Sequence, residues 1–83
     1  MAVRGYVLIE SEVGRAKAVG ESVNGIKRQD AQIVSVDTVT GPYDVIALIE
    51  SDNLDNLGTF ITDGIQKVSG VARTTTCLAV RLS

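Results

Sequence analysis

With 83 residues and a formal net charge of −2, the chain has room for one small core and carries no strong field of either sign; so short a chain has little stability to spare, and association would help it. It has no His, no Trp, a single Cys and only Tyr6, Tyr43 and Phe60 as aromatic residues, within a composition that is 45% hydrophobic. The core must therefore be aliphatic, and the commonest general base and the commonest transition-metal ligand are both missing, which argues against redox, haem and zinc chemistry, with neither a metal nor another cofactor expected.

Alternation and β-branched content predict a first strand over about residues 3–10. Its start so near Met1 leaves no basic stretch, long apolar segment and cleavage site, so no leader is expected. Ser11 is placed to cap a helix reaching about Lys27, in which Ala16, Val19, Val23 and Ile26 align on one face. Gly20 costs this helix about 1 kcal/mol relative to Ala and points to close packing there. Lys27 and Arg28 are the only adjacent basic pair, so no footprint for nucleic acid is visible. A second strand follows over about 31–38, and after a polar turn a third over about 44–50. Ser51, Asp52 and Asn53 compete to cap a second helix running to about Ser69, with Leu54, Leu57, Ile61, Ile65 and Val68 as its apolar stripe and Phe60 beside it. Gly70 suits the left-handed position after a helix end. The last strand covers about 72–81, where Cys77, without a basic neighbour to activate it, reads as buried apolar filler. A lone Cys excludes an internal disulfide framework and fits a reducing cytosol; no apolar run reaches membrane-spanning length, so a soluble cytoplasmic protein is expected.

The chain also repeats itself. The stretch from Gly5 to Ser11 (Gly-Tyr-Val-Leu-Ile-Glu-Ser) returns as Val45 to Ser51 (Val-Ile-Ala-Leu-Ile-Glu-Ser). The order β-α-β-β-α-β with right-handed crossovers gives an α+β, ferredoxin-like fold: one four-stranded antiparallel sheet with both helices on one face, a single domain over residues 1–83. In that fold the first and third strands are central. Val3, Val7 and Ile9 share one face of the first and Tyr6 and Leu8 the other; Val45, Ala47 and Ile49 share one face of the third and Ile46 and Leu48 the other. Both faces are apolar at the centre, yet two helices cover only one. A homodimer packed sheet against sheet, as a dimeric α/β barrel, is therefore expected.

Catalytic readings are weak. Glu10, Glu12, Asp52 and Asp55 fall at predicted helix starts, where the helix dipole and solvation account for them. Ser11, Ser22 and Ser35 have no context of an activated nucleophile, and Gly58 and Gly64 lie inside a predicted helix rather than in a phosphate-binding loop. Two segments remain. Gly41 would let a ligand approach backbone groups closely while Pro42 stiffens the turn. In the run Arg73, Thr74, Thr75, Thr76, the alternation sends the hydroxyls of Thr74 and Thr76 to one side, where they can meet the carboxylate or amine of a small zwitterion, although β-propensity alone would also favour threonines there.

The stretch Val39, Thr40, Gly41, Pro42, Tyr43, Asp44 resembles the Gly-x-Tyr-Asp motif of the Lrp/AsnC family's effector-binding domain, the RAM domain. The stretch from Ser69 through Gly70, Val71, Ala72 and Arg73 to Thr74, Thr75 and Thr76 is similar to that family's Gly-Val-x-x-Thr-x-Thr, and the spacing through Asp52, Leu57 and Phe60 agrees. The resemblance covers nearly the whole chain. It implies a non-enzymatic, stand-alone module without the family's helix-turn-helix, which dimerises through its sheets, assembles into larger rings and binds an amino acid or related metabolite between dimers. By motif match, Gly41, Tyr43 and Asp44 shape the effector turn and Thr74 and Thr76 offer hydroxyls, with Thr40, Pro42 and Thr75 as weaker candidates. Co-assembly with full-length Lrp/AsnC regulators would follow from the same resemblance. Two alternatives stay open: a small dimeric α/β-barrel enzyme of the cofactor-free monooxygenase or isomerase type, and an ACT-like amino-acid-binding module. The first lacks the aromatic or His lining such sites use, and the second carries its glycine turn after the first strand.

Overall fold

The computed structural model describes residues 2–80. Strand β1 (Val3–Ser11) leads to helix α1 (Ala16–Asn24), strands β2 (Gln32–Thr38) and β3 (Val45–Ser51), helix α2 (Leu54–Asp63), a 3₁₀ turn (Ile65–Lys67) and strand β4 (Val71–Leu78). The strands form one antiparallel sheet in the order β2-β3-β1-β4. This is the ferredoxin-like arrangement, with the two near-repeated strands at its centre. They pair in a register that runs from Val3 opposite Ser51 to Ile9 opposite Val45.

Burial follows the two-residue period of the strands. Val45, Ala47 and Ile49 are buried while Ile46 and Leu48 between them are only half-buried, and β1 buries Val7 and Ile9 in the same way. From the helices, Val19 and Val23 of α1 and Leu57, Phe60 and Ile61 of α2, with Ile65 just beyond, close the core over that face. Each such aliphatic or aromatic side chain is worth about 1.5–3 kcal/mol on burial, so this one layer carries most of the driving force for folding. Gly20 sits where a Cβ would come within 3.0 Å of the Thr38 hydroxyl, so α1 packs on the sheet through a residue with no side chain.

The helices are shorter than the sequence pattern suggests, for local reasons. Ser11 does not cap α1, because β1 continues through it, with a bulge between Glu10 and Ser11. The Glu12 N–H donates to the Gly70 carbonyl at 2.8 Å, and the chain then turns at Gly14, whose φ is +78°. The helix starts only at Ala16, with Arg15 at its N-cap, no side-chain cap and no acidic residue in its first turn; Glu10 and Glu12 therefore do not serve its dipole. It ends at Asn24, and Ile26 packs on the core from the loop. In α2, Asn53 wins the capping position by accepting from the Asn56 N–H at 2.8 Å, with Asp55 in the first turn. That helix stops at Asp63 because Gly64 bends the chain so tightly that a Cβ there would lie 2.5 Å from the Phe60 carbonyl oxygen. Gly70 has φ +97°, the left-handed conformation expected of it.

Two burial assignments are corrected. Leu54, expected in the stripe of α2, is instead the first residue of the helix and 56% exposed. Cys77, expected to be buried, is exposed. It lies on an edge strand and pairs in register with Tyr6, which puts it on the face without helices. The final strand ends at Leu78, and the part of the predicted strand at Arg81 lies outside the described residues.

That uncovered face is apolar at its centre. Tyr6 stands opposite Leu48 and Leu8 opposite Ile46, while Arg4 donates to Glu50 at 2.8 Å across the same two strands at one end.

Candidate functional site

The segment between β2 and β3 is held by its last residue. The Val39 N–H donates to the Asp44 carbonyl and the Asp44 N–H to the Ile9 carbonyl, both at 2.9 Å, and the Asp44 carboxylate Oδ2 accepts the Ser11 N–H at 2.8 Å. The carboxylate thus satisfies a backbone donor that the bulge at Ser11 takes out of the strand ladder. Asp44 is a tie between the turn and β1, and its oxygen is already engaged within the chain.

Ahead of that anchor the turn is open. Thr40, Gly41 and Pro42 are exposed and Tyr43 is half-buried. Gly41 has φ +137°, and nothing lies within 4 Å of where a Cβ would be. Its glycine is thus required by the backbone conformation rather than by a neighbour, and the space beside it is free for a visitor.

On β4, Thr74 is opposite Ile9 and Thr76 opposite Val7, so both threonines share the helix-side face, while Thr75, opposite Leu8, points to the uncovered one. Because Ile9 also pairs with Val45, Thr74 and the start of β3 lie at the same level of the sheet with β1 between them. Two interstrand spacings make that separation about 10 Å. The structure therefore brings the turn and Thr74 to one end of the sheet, but not into contact within a single chain. Thr76 lies one pleat further along, and Thr75 is on the wrong face to join them.

Side chains that the sequence pattern did not single out also gather at this end. Gln66, on the 3₁₀ turn, donates from Nε2 to the Thr74 hydroxyl oxygen at 2.9 Å. Arg15 reaches from its Nη2 to the Ser69 hydroxyl at 3.4 Å, lying over Gly70, where a Cβ would come within 3.2 Å of the Arg15 Cβ. The signal that could have found Gln66 is the break at Gly64. With the helix continued to Ser69, Gln66 belongs to an outer helical face; with the break, it turns back onto β4.

Three surface grooves, of about 680, 470 and 540 Å³, lie at the opposite end of the sheet, and neither the turn nor the threonines line any of them. The first runs along Ala2, Val3, Arg4 and Tyr6 to Glu50, Ala79 and Val80; the others follow the loop from Asn24 to Ile33. In that loop Arg28 grips Asp30 through two hydrogen bonds of 3.0 and 2.8 Å. The hydrogen bonds from Arg28, reinforced by its charge, hold the Asp30 carboxyl below its ordinary value against the opposing effect of desolvation. Among the described residues no group of three or more Asp, Glu or Cys converges as a metal site would require.

The family model for the Lrp/AsnC ligand binding domain matches residues 5–82. No curated protein matches the chain. Among solved structures, TTHA0845 from Thermus thermophilus is similar at 36% identity and a TM-score of 0.85, covering 98% of this chain and 96% of that one. The hypothetical protein PHS023 from Pyrococcus horikoshii is similar at 28% identity and a TM-score of 0.82, with 96% and 92% covered. The transcriptional regulator NMB0573 from Neisseria meningitidis, solved as a complex with L-Met, shares the fold at 14% identity and a TM-score of 0.79; the match covers 95% of this chain and 50% of that one.

Proposed function

The chain belongs to the Lrp/AsnC ligand-binding domain family, and we propose that it is a non-enzymatic sensor that binds an amino acid or related small metabolite between subunits and so shifts an assembly equilibrium. The observation that carries this reading is the separation of the two halves of the site. The start of β3, where the Gly41 turn ends, and Thr74 lie at the same level at one end of the sheet, about 10 Å apart with β1 between them, and the turn itself is exposed. A ligand the size of an amino acid is held by both only if another subunit closes the space. The L-Met complex of the Neisseria regulator, on the same fold, supports an amino acid as the class of ligand.

The assembly begins with a dimer. The uncovered face carries Tyr6, Leu8, Ile46 and Leu48 at its centre, an apolar surface that a second copy covers sheet against sheet. Dimers then meet through the ends that carry the turns. By linkage, the effector favours whichever assembly it binds better, and it shifts nothing if it binds all of them equally. Gly41, Tyr43 and Asp44 act on the turn side, Asp44 by fixing the turn's shape, and Thr74 and Thr76 act on the strand side; Thr40 and Pro42 adjoin the turn. On this reading the domain works in the cytoplasm and co-assembles with full-length regulators of its family.

Titration calorimetry against the twenty amino acids, starting with L-methionine, with light scattering on the same samples, tests this directly. Binding of at least one of them together with a change in assembly mass is expected. No heat from any of them and an unchanged mass would remove the effector function.

A further inference from the structure

We infer that Gln66 determines effector specificity by setting the Thr74 hydroxyl as a donor to the carboxylate of a bound amino acid, an inference that rests on the effector-binding function proposed above. Gln66 is exposed on the 3₁₀ turn between α2 and β4, a turn fixed at one side by the bend at Gly64 and at the other by the left-handed Gly70. Its amide nitrogen can only donate, so in the 2.9 Å hydrogen bond the Thr74 oxygen accepts and keeps its own proton free. Among the described residues nothing accepts that proton. A hydroxyl that already accepts a hydrogen bond is polarised into a better donor.

The ligand group that takes the Thr74 proton is therefore an acceptor, while the oxygen keeps one further lone pair. Thr76, one pleat along the same face and exposed, offers a second hydroxyl about 7 Å away along the strand. Neither Gln66 nor the threonines carry charge, so the site would hold an anion by directed donors rather than by an ion pair. Such a site separates a carboxylate, which accepts only, from a carboxamide, whose NH₂ would face the Thr74 proton in one of its two orientations. The Gln66 carbonyl oxygen remains as an acceptor at the rim.

The test is calorimetry with L-methionine and L-methioninamide on wild type, Gln66→Leu, Gln66→Glu and Thr74→Val, at one protein concentration. If another amino acid gives the larger heat with wild type, that acid and its amide replace the pair. Wild type is expected to prefer the carboxylate. Gln66→Leu should weaken it roughly 5- to 10-fold, the worth of one hydrogen bond, while leaving the carboxamide within about twofold. Gln66→Glu, which can only accept, takes the Thr74 proton and adds a like charge, so carboxylate binding should fall by roughly 50-fold or more. Gln66→Leu added to Thr74→Val should cost little beyond Thr74→Val alone, because the two act as a unit. Equal losses for both ligands in Gln66→Leu, or none for either, would overturn the assignment of Gln66 and leave the effector function standing. A wild type that binds no amino acid would end both.

Discussion

Removing the Asp44 carboxylate separates a structural account of the turn from a purely ligand-contacting one. In Asp44→Ala the Ser11 N–H at the bulge loses its acceptor at 2.8 Å, and the turn keeps only its backbone hydrogen bonds to β1 and Val39. A hydrogen bond to a charged group is worth about 1.5–3 kcal/mol, and the half-buried position places this one toward the lower end, at about 2 kcal/mol. For an 83-residue chain the unfolding entropy is roughly 0.17 kcal/mol per degree, so the melting temperature should fall by about 12 °C. Asp44→Asn keeps an acceptor oxygen without the charge and should lose roughly half as much. The assay is thermal and urea unfolding followed by circular dichroism, with protein concentration fixed because assembly adds to apparent stability. The reasoning fails if Asp44→Ala melts within about 2 °C of wild type while effector affinity collapses. That result would make Asp44 a ligand group and not an anchor.

Gly41→Asp should cost about 1–3 kcal/mol from the positive φ, put a charge into the open side of the turn, and abolish effector heat in calorimetry without changing the mass of the dimer. Leu48→Lys places a charge at the centre of the uncovered face, and sedimentation should then show a folded monomer at concentrations where wild type is dimeric. Phe60→Ala empties the largest fully buried side chain and should destabilise by about 3–5 kcal/mol, read from urea unfolding. Arg28→Gln should raise the Asp30 carboxyl pKa toward its ordinary value, visible in a carboxyl-carbon NMR titration. Because the folded value is the depressed one, the pair's contribution is present above the ordinary carboxylate range and lost as acid carries the pH down through that depressed value, so the variant should lose this acid sensitivity.

The strands were legible because their period and their neighbours agree. Alternating Val45, Ala47 and Ile49 against Ile46 and Leu48 fits only a strand with two apolar faces, and the duplicate at Val7 and Ile9 supplies its partner. Helix ends were not, since they depend on contacts with distant residues. Ser11 is as good a cap as any by type, but Asp44, 33 positions away, keeps it in the strand. Gly64 reads as a tolerated helix interior until the Phe60 carbonyl is found where its side chain would stand. In the site, the two motifs could be read from local chemistry. The role of Asp44 depends on a tertiary hydrogen bond that no spacing encodes, and Gln66 comes into view only once the helix is broken at Gly64. Cys77 was misplaced because the pairing register of the last strand, which sets it beside Tyr6 on the uncovered face, is not encoded in strand position alone.

The internal repeat explains why only one end of the sheet carries the candidate site. β1 and β3 pair antiparallel, so their matched ends, Ser11 and Ser51, point to opposite ends of the sheet. At the Ser51 end the side-chain hydroxyl donates to the Asp30 carbonyl, and Arg28 closes on Asp30 by two hydrogen bonds, so the loop after α1 is satisfied by its own groups. At the Ser11 end the hydroxyl is replaced in that role by the backbone N–H and the donor is met by Asp44 of the β2–β3 turn, a segment with no counterpart at the other end. Among the described residues, the loop after α2 has no ion pair like that of Arg28 and Asp30; its side-chain hydrogen bonds run from Arg15 to Ser69 and from Gln66 to Thr74, the latter leaving the Thr74 proton free. A duplicated fold would offer the same surface twice. The turn and the unused hydroxyl break that equivalence at one end, and an effector that binds there meets a site that the symmetry of the two halves does not repeat.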